Sequence, residues 1–293
     1  MTSAEPLVTI GIPFWNEERF LGAAIRSVLA QTWRNLEVLL IDDGSTDRSL
    51  EIAEGFRDDE RVVVVSDGQR RHLPARLNEI VQQARGDLVA RMDADDVVHP
   101  DRLRRQLGAL RDAGPACAAV GTWAGIVDEK DEPLAVIEAS VPASPSVALE
   151  RGVFPHATML ARREWLRANP YDETLTRAED RDLWCRTVRS ARFAIVPEPL
   201  YVVHLVAKHE TFLPDYVESQ RQNRILFARY GPAAVGIRRA SRLWAESIAK
   251  STVMRGAVHL GVADRVVRRR GRPPTEHELG LIVEALASGR QRP

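Results

Sequence analysis

Cysteine is nearly absent. Cys117 and Cys185 are the only two in 293 residues, and neither has metal-ligand spacing. That excludes a disulfide framework or a cysteine zinc site and points to a reducing compartment. Long hydrophobic runs are missing too: no apolar segment reaches the roughly 18 to 20 residues that span a bilayer. Met1 to Pro6 lack the basic region and apolar run of a secretory signal. The expectation is a cytoplasmic protein, with peripheral contact at the inner face of a membrane compatible with it. Net charge is also lacking, because 41 Lys and Arg balance 41 Asp and Glu, so global charge names no partner. Its distribution is uneven: from Asp215 onward 15 basic side chains face 7 acidic ones. The tail is therefore expected to touch something anionic.

What is present is an ordinary globular composition, 44% hydrophobic and 28% charged, on a length that suits one large domain or a domain plus an appendage. Leu7 to Ile12 is β-rich and stops at Pro13. Phe20, Leu21, Ala24, Ile25, Val28 and Leu29 then recur at helical spacing. Leu36 to Ile41, Val62 to Val65 and Leu88 to Met92 predict three more strands, separated by helices carrying Leu50, Ala53 and Phe56, and Leu77, Ile80 and Val81. Continuous apolar strands alternating with helices indicate an α/β fold, a Rossmann-like, mostly parallel twisted sheet with helices on both faces. Farther on, Ala116 to Val127 predicts a strand closed into a hairpin by Asp128 to Pro133. Pro142 to Ser146 predicts a loop, and Phe154 to Arg163 another strand. Phe193 to Val196 and Leu200 to Val203 predict two short strands. From Tyr216 the pattern is helical to about Val267, with breaks at Gly231-Pro232 and Gly256. A basic linker, Arg268 to Pro274, and a last helix, Glu276 to Leu286, follow.

The most informative stretch is Leu88 to Val97, where an apolar run ends in Asp93, Asp95 and Asp96. Carboxylates this close repel, and a divalent cation shared with a phosphate-bearing ligand would offset them. The alternative is that Asp95 or Asp96 caps the N-terminus of a helix opening at Pro100-Asp101-Arg102-Leu103. Two other strands also end in polar clusters, Asn16-Glu17 and Asp42-Asp43. In a parallel sheet all three converge at the carboxyl edge, where ligands bind.

Ile12-Pro13-Phe14-Trp15-Asn16-Glu17, Ile41-Asp42-Asp43-Gly44-Ser45-Thr46-Asp47, Ala90-Arg91-Met92-Asp93-Ala94-Asp95-Asp96 and Glu179-Asp180-Arg181-Asp182-Leu183-Trp184 occur in that order. Together they resemble the family 2 inverting glycosyltransferases, which have the GT-A fold, over about residues 5 to 210. The resemblance implies transfer of a sugar from a nucleotide-diphosphate sugar, a UDP-sugar first of all, with Mn²⁺ or Mg²⁺ as cofactor. The acceptor would be a glycan or a lipid-linked sugar in cell-surface polysaccharide or glycolipid synthesis, not nucleic acid. It makes Asp95 the direct metal ligand and turns Asp93 towards the ribose or the metal's waters, while Asp96 assists or caps. Pro13, Phe14, Glu17, Asp42 and Asp43 become the nucleoside pocket, with Arg71 as a phosphate or base contact; the bland reading of Arg70, Arg71 and Arg76 is a solvated face. Asp180 is by the same resemblance the base that takes the acceptor's proton, and His204 completes the metal site. Val202 departs from the family, which commonly has arginine there. His156 would line the acceptor side or simply pack.

These expectations divide the chain into a glycosyltransferase domain over residues 1–210 and a basic helical extension over residues 211–293. The domain comprises a nucleotide-binding half (1–100) and an acceptor half (101–210), and the extension could lie on anionic lipid through Arg238, Arg239, Arg242 and Trp244. Asp93-Ala94-Asp95-Asp96-Val97 also satisfies the short pattern of haloacid-dehalogenase-like phosphatases, although three strand-helix units precede it. Asp42-Asp43 at a strand end suits a phospho-accepting receiver domain, although no suitably placed lysine accompanies it. A non-catalytic nucleotide-sugar-binding protein is the third alternative.

Overall fold

A computed structural model describes residues 5–141, 144–204, 209–260 and 271–290. A nine-stranded sheet carries the fold. Its first part is β1 (Val8–Phe14), β2 (Leu36–Asp42), β3 (Val62–Ser66) and β4 (Leu88–Arg91), joined by α1 (Leu21–Leu29), α2 (Ser49–Glu54) and α3 (His72–Gln83). These four strands are parallel, in the order β3-β2-β1-β4. Every residue of β1, β2 and β4 is buried, as a sheet covered on both faces requires. Strand β1 runs through Pro13 instead of stopping there. Its pairing with β4 ends at Gly11 opposite Arg91, so the missing proline N–H interrupts no bond on that side.

The second part is mixed. The short β5 (Val97–Val98) and α4 (Arg102–Asp112) lead to β6 (Cys117–Val127), which forms the expected hairpin with β7 (Pro133–Ile137). Only Leu160–Arg162 of the strand expected over Phe154 to Arg163 forms (β8), because His156–Thr158 is a 3-10 turn. Pro145 begins α5 (Pro145–Arg151) with Ser144 as its cap, so that part of the expected loop is helical; Pro142 lies outside the described residues. After α6 (Arg163–Ala168) and α7 (Glu179–Thr187), the two expected short strands are one, β9 (Arg192–His204). It pairs parallel to β6 and antiparallel to β5.

Two long helices follow, α8 (His209–Val235) and α9 (Ile237–His259). The break expected at Gly231-Pro232 is displaced to Gly236, and α9 continues through Gly256. Gly231 instead admits α9: a Cβ there would come within 2.6 Å of the Ala240 Cβ. Val267 and Arg268 to Arg270 lie outside the described residues. The last helix, α10 (Glu276–Arg290), returns to the sheet. Ile282, fully buried, packs with Val97, Val127, Val136 and Val202, a burial that contributes about 2 kcal/mol. Arg26 donates to the Gly289 carbonyl at 2.8 Å, and Ser288 donates to the Val98 carbonyl at 3.0 Å. A boundary at 210 therefore leaves an element of the main body on its far side. Val202, where the family's arginine was missing, sits inside this apolar cluster.

Candidate active site

Because β1, β2 and β4 are parallel neighbours, their carboxyl ends open on one cavity of about 390 Å³. Pro13, Phe14 and Glu17 from β1 and the turn after it line this cavity, as do Asp43 and both Asp93 and Asp95. Asp42 does not. Successive side chains of a strand alternate: Asp42 turns inward, accepting from the Ser45 N–H at 2.9 Å and the Ser66 hydroxyl at 2.7 Å.

Asp43 faces the cavity but is fully engaged. It accepts from Arg70 (2.8 Å), Arg76 Nε (2.9 Å) and the N–H groups of Arg71 and His72 (2.7 and 3.1 Å). Four donors fill a carboxylate's acceptor sites, so Asp43 fastens the loop before α3 and has nothing over for a base. The Arg71 side chain approaches Glu79 at 3.6 Å and is not part of the cavity wall. Its neighbours replace it there. Arg70 lies over the Trp15 ring at 3.5 Å from the centroid, a flat cationic surface at the rim. Arg76 is completely buried, contrary to the solvated reading, and pairs with Asp43, Asp67 and Glu79. Burial pulls its pKa down and these ion pairs more than reverse that. Asp67 shares the pair and is held at about 2 by the Arg76 bonds.

The three carboxylates of the acidic loop diverge. Asp96 points into the protein, where it accepts from the His204 N–H at 3.1 Å and from Tyr201. Burial pushes its carboxyl well above the ordinary range, and the Asp95 and Asp93 charges push further. Asp93 is bound by Arg91 at 2.6 Å, and its N–H donates to the Tyr201 hydroxyl at 3.0 Å. Tyr201 thus props the loop from below. Arg102, also buried, lies over the Tyr201 ring and donates to the carbonyls of Arg91 and Ala157. Burial lowers its pKa to about 10.

His204 comes to the same loop from behind. Its Nδ1 is 2.8 Å from the Asp95 carbonyl and its Nε2 3.1 Å from Asp131, which also pairs with Arg290 of α10. Asp95 lines both this rear depression and the main cavity. Among the described residues no three His, Cys, Asp or Glu side chains form a metal cage. Asp93 and Asp95 fit instead a hard divalent ion that takes its other ligands from water and substrate phosphate.

Asp180, half-buried in the first turn of α7, lines a separate cavity of about 410 Å³ together with His156. Its neighbour Glu179 is buried, and burial raises its pKa against the pull of Arg91. Burial and the Arg91 charge lower the His156 pKa to about 3, so the ring is neutral, with Nε2 2.8 Å from the Tyr171 hydroxyl. The residue before α7, Ala178, has φ +63°, a left-handed conformation that costs a non-glycine residue roughly 1 kcal/mol. Sequence reasoning missed the segment before it and the start of α8: Thr176, Arg177, Asp215 and Glu218 close the main cavity from that side.

Residues 9–168 match the family model described as Glycosyl transferase family 2. The chain belongs to this family. It is 33% identical over 186 residues to the putative glycosyltransferase EpsE of Bacillus subtilis, covering 62% of this chain and 66% of that one. An uncharacterized glycosyltransferase of Haemophilus influenzae is 37% identical over 106 residues, 36% of this chain and 42% of the relative. The chain thus spans less than two thirds of the length of these relatives. Among solved structures, S. aureus TarS 1–349 in complex with UDP-GlcNAc superposes with a TM-score of 0.60 at 18% identity, covering 82% and 71% of the two chains. The mannosyltransferase PcManGT of Pyrobaculum calidifontis, solved with GDP-Man and Mn²⁺, gives 0.61 at 17% identity, covering 97% and 86%. At such identities these neighbours establish the GT-A fold. Family and fold together set aside the haloacid-dehalogenase-like phosphatase and the receiver domain. No helix among its described residues is long and apolar enough to cross a membrane.

Proposed function

We propose that this glycosyltransferase moves a sugar, with inversion, from a nucleotide-diphosphate sugar to an acceptor hydroxyl, and that it depends on a divalent metal. The observation that carries the reading is the convergence of Pro13, Phe14, Glu17, Asp93 and Asp95 on one cavity at the carboxyl edge of parallel strands. The nucleoside binds along Pro13 and Phe14, with the Trp15–Arg70 stack at the rim. Asp95 holds Mn²⁺ or Mg²⁺, and Asp93, oriented by Arg91, meets the ribose or a water of the ion. When bound, the ion stabilises the charge that develops on the leaving diphosphate. His204 acts by fixing the Asp95 carbonyl; metal ligation by its ring would require release from Asp131.

Asp180 takes the proton of the attacking hydroxyl. Glu179 is withdrawn into the interior beside Arg91 and Glu138 is paired with Arg272, which leaves Asp180 as the carboxylate on the wall of the second cavity that holds no ion pair among the described residues. The donor is a UDP-sugar, and the product belongs to cell-surface polysaccharide or glycolipid. On α9, Ile237, Trp244, Ile248 and Val253 are exposed beside Arg238 and Arg242, which favours peripheral contact with anionic lipid and work at the cytoplasmic face of the membrane. The deciding experiment is a thermal-shift series with UDP and GDP, each with and without Mn²⁺, on the wild type and Asp95→Asn. Metal-dependent stabilisation lost in the variant is expected. Nucleotide binding indifferent to Mn²⁺ would remove the metal from this reading, and binding without sugar transfer would favour a non-catalytic nucleotide-sugar binder.

A further inference from the structure

The cavity beside Asp180 continues into a further depression of about 260 Å³, and the two share Arg151 and Arg181. Arg151 ends α5 and Arg181 follows Asp180 in α7. The far depression reaches Asn223 of α8 and Lys250 of α9. Charge along this groove is unbalanced. Apart from Asp180 its carboxylates are already paired: Glu138 with Arg272, Glu150 with Arg239 at 2.9 Å, and Glu246 with Arg242 at 2.8 Å. Among the described residues Arg151, Arg181 and Lys250 have no carboxylate within ion-pair distance. Cations held along one groove repel each other unless an anion joins them.

Two buried polar atoms on the walls also want a partner. His156 is 8% exposed and Asn223 9%, and among the described residues neither His156 Nδ1 nor Asn223 Oδ1 has a hydrogen-bond partner. Glu179 approaches the histidine atom at 3.5 Å. A neutral imidazole beside Asp180 suits a sugar or polyol hydroxyl, and an amide can turn either end to a ligand. A pair of guanidinium groups suits phosphate oxygens, which they bind bidentately and at every accessible pH.

We propose that the acceptor carries phosphate: its hydroxyl lies at Asp180 while its phosphate is held between Arg151 and Arg181, with Lys250 further along the same groove. This rests on the reading of Asp180 as the base. It also gives the basic C-terminal region a place in substrate recognition, because Lys250 belongs to it.

The test titrates glycerol 1-phosphate and glycerol against the full chain saturated with UDP, by ligand-observed NMR. An octyl phosphate arm distinguishes a lipid-borne phosphate from one on a soluble polyol. The wild type should bind the phosphate and not the glycerol. Arg151→Gln with Arg181→Gln should weaken phosphate binding roughly tenfold for each guanidinium removed, and leave UDP affinity unchanged. The Arg151→Lys, Arg181→Lys pair should recover part of the loss, which excludes misfolding as its cause. Phosphate binding that is indifferent to the double Gln change, glycerol bound as well as its phosphate, or UDP affinity falling in step would each overturn the proposal. Failure of the donor or base assignment appears elsewhere, as missing nucleotide binding or transfer, and does not alter the difference between wild type and double variant.

Discussion

The Arg76 guanidinium lies 2.9 Å from Asp43, with the two side chains 0% and 6% exposed. The pair joins the start of α3 to the end of β2, and Asp67 and Glu79 complete it. Arg76→Met leaves buried carboxylate without its cation, which costs about 3–5 kcal/mol. Urea denaturation should show a lower midpoint by that amount, and Arg76→Met with Asp43→Asn should lose less than the single change. A loss below 1 kcal/mol would mean that water or Arg70 takes over.

The role of Asp180 is tested by Asp180→Asn. The amide keeps the shape and loses the basicity, so turnover should fall by about 10²–10⁴-fold while nucleotide affinity stays as it was. Equal loss in Glu179→Gln with none in Asp180→Asn would transfer the base role to the buried neighbour.

His156 makes a prediction about pH. In the unfolded chain it protonates near its ordinary 6.5; in the folded protein it does so only at about 3. The unfolded state therefore binds more protons across that interval, and stability falls as pH drops from 6.5 towards 3. Asp67 and Glu278, each held at about 2 by arginine, add their own loss only as pH falls through the carboxylate range. Asp96 and Glu179, whose carboxyls burial raises, act with the opposite sign, so the histidine's share of the change between pH 7 and pH 5 is the part that substituting His156 removes. His156→Gln should flatten that difference, and an unchanged slope would show that the ring is solvated.

Docking of α10 is tested at Gly125, where a Cβ would come within 2.7 Å of the Ile282 side chain. Gly125→Ala should destabilise by about 1–3 kcal/mol through overpacking, and adding Ile282→Val should recover part of it. Thermal unfolding of the four members of this cycle measures the coupling. Additive losses would show that α10 does not press on β6.

The first four strands were readable because each is a continuous apolar run closed by a polar turn, and parallel pairing then forces the polar ends of β1, β2 and β4 together. Which of two adjacent aspartates faces the cavity was not readable. It depends on the phase of the β2 pleat, which places Asp42 on Ser66 and Asp43 on the Arg76 cluster. Arginines before and within α3 look alike in the chain, yet Arg76 is buried because three carboxylates from three different elements surround it. Pro13 and Pro232 looked like stops. Pro13 is tolerated beyond the last β1–β4 pair, and Pro232 lies in the final turn of α8. The placement of α10 is a contact between residues nearly two hundred positions apart, for which local periodicity has no signal.

That contact has a consequence in time. Val98, at the end of the segment that carries Asp95 and Asp96, accepts its bond from Ser288, 190 residues later. At ordinary rates of synthesis the ribosome needs about ten to forty seconds to make that much chain. Throughout that interval the back of the acidic loop lacks the wall that α10 supplies, and neither Glu284 for His99 nor Arg290 for Asp131 yet exists. The parallel strands of a nascent chain can thus form early, while the acidic loop gains its last braces only after α10 has emerged.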